Sequence, residues 1–229
     1  MILIGDIHGG YPEILYQLKR RDITKANIIQ VGDWGLGFNS KARDISILKQ
    51  IDKFLIQSQN FLYILRGNHD NKWFWDNRES IQLECIKLVQ DYEVLTIENR
   101  KVLFIGGGIS IDRKSRTIGK DYWEDEKVIF DTATIQSIPT QQIDLVISHI
   151  APQEAWPYII PPIVTHYASN DAQLMQELHQ ERAIMSQIYA AVNQAGCKEW
   201  YYGHYHESNT IIVEGMKFRC LAAMEIIES

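Results

Sequence analysis

The chain has 229 residues, 45% of them hydrophobic and 23% charged, with a formal net charge of −6. That size can build one α/β domain with a large core, and the acidic balance argues against a broad electrostatic footprint for long duplex nucleic acid or an anionic membrane. No apolar stretch approaches the ~20 residues of a membrane span. Cys85, Cys197 and Cys220 are odd in number and widely spaced, which fits reduced thiols in the cytoplasm. The apolar run that begins at Ile2 leaves no room for a signal peptide, so a cytoplasmic protein is expected.

In chain order, Ile2-Leu3-Ile4 reads as a β-strand and is followed by Asp6-Ile7-His8. Pro12 and Glu13 open a short helix to about Arg20. The strand Ile28-Ile29-Gln30-Val31 leads into Gly32-Asp33. A helix is predicted from Ser40 or Lys41 to Gln57, burying Ile45, Leu48, Ile51 and Leu55. The strand Phe61-Leu62-Tyr63-Ile64-Leu65 runs into Arg66-Gly67-Asn68-His69-Asp70. Residues 93–97 and 101–105 read as a hairpin turning at Glu98-Asn99-Arg100. Gly106-Gly107-Gly108 lacks the GxGxxG spacing of a dinucleotide site and is read as a turn, so no organic cofactor is expected. The strand Leu145-Val146-Ile147 ends at Ser148-His149. A long helix is predicted over Asp171 to Gln194, with Leu174, Leu178, Met185, Ile188 and Val192 inward. Trp200-Tyr201-Tyr202 leads into Gly203-His204-Tyr205-His206, and residues 211–213 and 217–221 are closing strands.

Five of the seven histidines thus fall in short patterns at strand ends, in company with Asp6, Asp33 and Asn68. In Asp6-x-His8 and His204-x-His206 an extended backbone would send both members of each pair to one side, toward one site. Carboxylate and imidazole donors without cysteine suit Mn²⁺, Fe or Zn²⁺ better than Ca²⁺ or a structural zinc. Two such ions roughly 3.5–4 Å apart can clamp the attacking and leaving oxygens of a displacement at phosphorus. Asp33 is the candidate bridging carboxylate, and His69 is placed to act on the leaving group.

The ordered series D-x-H, GD, GNHD, SH and GHYH, over residues 1 to about 206, resembles the calcineurin-like metallophosphoesterase superfamily. The resemblance implies an α/β fold, a two-sheet β-sandwich flanked by helices in four αββα layers. It implies two divalent ions, Mn²⁺ foremost with Fe or Zn²⁺ as alternatives. Asp6, His8, Asp33 and His206 would hold the first ion and Asp33, Asn68, His149 and His204 the second. His69 would act on the leaving group, with Asp70 beside it as a further catalytic candidate. The implied activity is hydrolysis of a phosphomonoester or phosphodiester by a metal-bound hydroxide. One departure stands out: Leu36 occupies the place where phosphoprotein phosphatases of the family carry the Asp that orients this histidine.

Two segments bear on the substrate. Residues 110–116 with 121–126 look like a segment of a bacterial and phage branch of the superfamily, and Arg113 or Arg116 could fork onto a phosphate oxygen, Arg113 being preferred. Residues 151–167, with Trp156, Tyr158 and prolines 152, 157, 161 and 162, are a candidate lid. Trp34, Trp73, Phe74, Trp75, Trp123 and Trp156 could stack a flat leaving group, although packing is the commoner use of such side chains. His166, in the Pro-rich loop, and His179, in the long helix, have no ligand company and are read as ordinary residues. The expected substrate is a phosphorylated small molecule or a nucleotide. The rivals are a nucleotide phosphodiesterase or nuclease, and a non-catalytic protein-binding scaffold on the same fold.

Overall fold

Alternation within the strands decides how the layers stack. The structure, a computed structural model, describes residues 1–157 and 161–229. A five-stranded sheet has the order β11-β1-β2-β3-β4, formed by β1 (Ile2–Ile4), β2 (Asn27–Gln30), β3 (Phe61–Ile64), β4 (Ile86–Leu88) and β11 (Ile226–Glu228). A six-stranded sheet has the order β5-β6-β7-β8-β10-β9, formed by β5 (Val94–Ile97), β6 (Arg100–Ile105), β7 (Leu145–Ser148), β8 (Glu199–Tyr202), β9 (Asn209–Val213) and β10 (Met216–Cys220). Successive side chains point to opposite faces. Leu3, Ile29, Phe104, Leu145, Ile147 and Tyr201 therefore meet between the sheets.

Their immediate neighbours face outward onto helices. Ile4, Ile28 and Leu62 pack against Ile14 and Leu18 of α1 (Tyr11–Arg20) and against Leu48, Ile51 and Leu55 of α2 (Lys41–Ser58). On the other side Leu103, Val146, Trp200 and Tyr202 pack against Met185, Ile188 and Val192 of the long helix. The central strands β1, β3, β6 and β7 are largely apolar because both of their faces are covered, and the result is the expected four-layer αββα sandwich. The short helices α3 (Trp73–Asp76), α4 (Thr132–Ser137) and α5 (Pro162–Ala168) precede the long α6 (Leu174–Gln194).

Pairing is parallel along β1-β2-β3-β4 and along β6-β7-β8-β10. The C-terminal ends of β1, β2 and β3 consequently share one edge of their sheet, and those of β6, β7 and β8 one edge of theirs. Short βα loops at such an edge are where these folds gather functional groups.

Several boundaries differ from the sequence expectation. The hairpin turn is Glu98-Asn99 alone, both left-handed (φ 51° and 64°), and Arg100 pairs with Ile97, as a two-residue turn of this hand requires. The long helix begins at Leu174 rather than Asp171, because the Asp171 carboxylate accepts hydrogen bonds from Arg113 and from the Gln173 amide. His166 lies on α5 rather than in a loop, since Pro162 starts a helix instead of breaking one; His166 and His179 are both exposed.

One buried acid on α6 has a stability consequence. Glu181 is 4% exposed and its Oε1 finds no hydrogen-bond partner. Burial, with Glu126 nearby, pushes its pKa up to about 8. Its proton is retained on folding, so the contribution is complete below the ordinary value of 4.5 and is lost as pH rises toward 8. Unfolding by urea in the presence of a chelator should show the Glu181→Gln variant gaining roughly 1–3 kcal/mol over the parent between pH 6 and pH 8. An unchanged pH slope in the variant would count against a protonated Glu181.

Candidate metal centre

Asp6 and His8 follow β1, Asp33 follows β2, Asn68 and His69 follow β3, His149 follows β7, and His204 and His206 follow β8. The parallel edges thus bring every sequence-predicted ligand to one place. The donors fall into two groups. In the first, His206 Nε2 lies 3.1 Å from Asp6 Oδ2 and 2.9 Å from His8 Nε2. In the second, Asn68 Oδ1 lies 2.8 Å from His149 Nε2 and 2.9 Å from His204 Nδ1.

Asp33 joins the groups through a single oxygen. Its Oδ2 is 3.8 Å from His8 Nε2 and 3.5 Å from His149 Nε2, while Oδ1 accepts the His69 backbone N–H at 2.9 Å. Close approach of the backbone makes this possible. A Cβ on Gly67 would stand 2.1 Å from Asp33 Oδ1, and one on Gly203 would stand 2.0 Å from Asp6 Oδ1.

The ligand loops are tight turns, not extended chain. His8, Asp33, His204 and His206 have φ of 44°, 58°, 67° and 54°, in the left-handed region. The i, i+2 expectation therefore holds for Asp6 and His8, which share the first group, and fails for His204 and His206, which the turn divides between the two groups.

The donor set fits divalent ions. Asp6 and Asp33 are buried carboxylates faced by imidazoles and backbone amides rather than by lysine or arginine. Burial opposes ionisation of Asp33, but His149, His69 and His8 outweigh it and hold its pKa well below the carboxylate range. Burial lowers the His149 pKa, yet Asp33 prevails and pushes it up to about 9. Burial and the neighbouring His149 keep His204 well below the usual range, and hence neutral. His149 Nδ1 is 3.0 Å from the Val31 carbonyl and must donate its hydrogen there, so Nε2 is the nitrogen turned to the site.

His69 and Asp70 part company. The buried Asp70 carboxylate accepts the backbone N–H groups of Trp34, Gly35, Leu36 and Gly67. It braces the turn that carries Asp33, and among the described hydrogen bonds none joins it to His69. His69 Nδ1 is buried without a hydrogen-bond partner, and Leu36, where an orienting acid would stand, is buried apolar surface. The ring packs 5.5 Å from His8, and Trp123 Nε1 donates to the His69 carbonyl at 3.1 Å.

A cleft of about 250 Å³ opens over the donors, lined by Asp33, Asn68, His69, His204 and His206 and walled by Ile111, Trp156, Val164, Tyr167 and Leu178. Arg116 lines it and Arg113 does not. Arg113 is clamped instead between Asp171, 2.6 Å away, and Glu177, two carboxylates that satisfy its fork. Arg116 is held by Asp112 at 2.6 Å and by the Asp121 carbonyl at 3.1 Å. Of the aromatic candidates, Trp156 borders the cleft, whereas Trp34, Phe74 and Trp75 are core and Trp73 lies under the Lys41 ammonium. Tyr158 lies outside the described residues. Ser110 and Glu126, which stand behind Asn68, lie at the two ends of the segment whose sequence resembles the bacterial and phage branch, but nothing in that resemblance marks either of them as a partner of Asn68.

A two-sheet sandwich with paired carboxylate–imidazole groups on its strand-end edge defines a metal-binding hydrolase scaffold. The family model of the calcineurin-like phosphoesterases matches residues 1–208, and the chain belongs to that family. No curated protein matches it in sequence. The crystal structure of the phosphopantetheinyl hydrolase PptH of Mycobacterium tuberculosis is similar, with a TM-score of 0.52 at 11% identity over 97% of this chain and 89% of that one. A second solved structure is similar with a TM-score of 0.55 at 9% identity, over 97% and 90% of the two chains. These likenesses concern the fold.

Proposed function

We propose that the chain is a phosphoesterase that uses two divalent ions, Mn²⁺ foremost, to hydrolyse a phosphomonoester or phosphodiester of small-molecule or nucleotide size. The observation that carries this reading is Asp33 Oδ2, which faces both donor groups from the floor of the cleft. Asp6, His8, Asp33 and His206 would hold one ion and Asp33, Asn68, His149 and His204 the other. Ions there would neutralise charge developing at phosphorus and lower the pKa of a water.

The chain's own groups do the rest. Arg116, a guanidinium on the cleft wall, is placed to meet a phosphate oxygen, and it takes the role expected first of Arg113. With Nδ1 of His69 buried, its Nε2 is the nitrogen left to exchange a proton with the leaving oxygen. The apolar wall of Ile111, Trp156, Val164, Tyr167 and Leu178 favours a leaving group with a flat or apolar body. Trp156, Val164 and Tyr167, from the described residues of 151–167, are three of those side chains, which supports the reading of the flanks of that segment as a cover over the site within a single domain. No helix of the described residues is long and apolar enough to cross a membrane. The three free thiols support a reducing compartment, the cytoplasm.

The test is hydrolysis of p-nitrophenyl phosphate and bis-p-nitrophenyl phosphate by metal-stripped protein reloaded with Mn²⁺. Turnover of at least one that depends on Mn²⁺ is expected, and the preferred compound separates monoesterase from diesterase. Arg116→Ala should raise KM roughly 10- to 100-fold, the worth of one charge-assisted contact, while Arg113→Ala should lower thermal stability and leave KM alone. No turnover of either ester with two Mn²⁺ bound would point to the scaffold reading instead.

A further inference from the structure

The segment after the triple glycine does something other than touch substrate. Ser110 is 2% exposed and Glu126 fully buried, and the two are locked together. Glu126 Oε1 accepts the Ser110 backbone N–H at 2.8 Å and Oε2 accepts the Ser110 hydroxyl at 2.6 Å. Ser110 Oγ in turn accepts from Asn68 Nδ2 at 2.8 Å.

With the Glu126 carboxylate ionised, the polarity of this chain has one solution. A serine hydroxyl has a single hydrogen, and the carboxylate of Glu126 takes it. Ser110 can therefore only accept from Asn68, so the amide must turn its NH₂ to Ser110 and its oxygen to His149 and His204. The reverse orientation would place oxygen against oxygen and an NH₂ among the second group's ligand atoms. Glu126 itself cannot drift. Its carbonyl accepts from Arg66 Nη1 at 2.9 Å and from the Gly108 N–H at 3.0 Å, while Arg66 also grips the Lys127 carbonyl at 3.1 Å. Arg66, two residues before Asn68, thus ties the segment at 125–127 to the end of β3.

We propose that Ser110 and Glu126 are positioning residues that fix the Asn68 amide with its oxygen toward the second metal group, and that Arg66 sets the distance between them. The proposal rests on the ligand assignment made above. Loss of a partner that orients a ligand weakens metal affinity roughly 10- to 100-fold. The effect should be confined to the group that contains Asn68, because the Asp6, His8 and His206 group makes no contact with Ser110 or Glu126 in the hydrogen bonds described.

Titration of metal-stripped protein with Mn²⁺, following free Mn²⁺ by its paramagnetic resonance signal, reads this without any turnover. The parent should bind two ions. Ser110→Ala and Glu126→Gln should each bind one ion as the parent does and the other roughly 10- to 100-fold more weakly. Ser110→Thr, which keeps the hydroxyl, should restore both. Two ions bound by Ser110→Ala as tightly as by the parent would overturn the relay and leave the ligand assignment standing. Weakening in Ser110→Thr equal to that in Ser110→Ala would assign the effect to packing and would likewise overturn the relay. A parent that does not take up two ions would remove the ligand assignment and the relay together.

Discussion

Asp33→Asn should fold and should lose phosphoester hydrolysis by on the order of 10³-fold or more, at several kcal/mol of charge stabilisation and about 1.4 kcal/mol per tenfold. The expectation follows from how the side chain is held. Asp33 Oδ1 accepts the His69 backbone N–H, so an asparagine will place its carbonyl oxygen there and its NH₂ where Oδ2 was. That NH₂ faces His8 on one side and His149 on the other, a donor in the place of a shared ligand. On the proposed reading, both ions would lose a negatively charged partner at once. Mn²⁺ titration should show both steps weakened, whereas a residue serving one group would affect one step. Parental turnover in Asp33→Asn, or loss of only one ion, would end the bridging role.

His69→Ala is the second large effect, of the opposite kind. General acid–base catalysis by a placed side chain contributes roughly 10²- to 10⁴-fold, and kcat should fall by that amount while two Mn²⁺ remain bound. The structure gives the rival outcome a definite form, because a ring nitrogen of His69 lies within 4.8 Å of donor atoms of His8 and Asp33. Loss of an ion in the variant would make His69 a ligand. The missing orienting acid adds a further expectation for the same protein. With Leu36 beside the turn and Nδ1 unpartnered, His69 is aimed by packing against His8 and by its backbone, so its contribution should sit toward the lower end of that range.

Much of this was written in the chain. Apolar runs ending in Asp, Asn or His announced strands with polar groups at their ends on one edge of a sheet; the parallel pairing that aligns those ends is what the structure adds. The strands β4 and β11 left no such mark: Ile86–Leu88 and Ile226–Glu228 are as short as β1 but each contains a charged residue, and neither leads into an Asp, Asn or His motif. Pro161-Pro162 read as a loop and begins a helix, since proline is as welcome at a helix's first position as it is in a turn. Arg113 and Arg116 stand three residues apart in one irregular segment, and only the tertiary position of Asp171 and Glu177 decides which is consumed in ion pairs. The division of His204 from His206 was hidden for a related reason: backbone hand at a turn is set by what the turn must reach.

That hand has a consequence for how such a sequence can change. A non-glycine residue in the left-handed region costs roughly 1–2 kcal/mol, and His8, Asp33, His204 and His206 all sit there. Glycine would relieve the strain at each of the four and remove a proposed ligand in the same stroke. The sequence most comfortable in this fold is therefore not the one that binds metal. Drift without selection on the site should run toward smoother corners, leaving a sturdier sandwich with nothing at its edge to hold an ion.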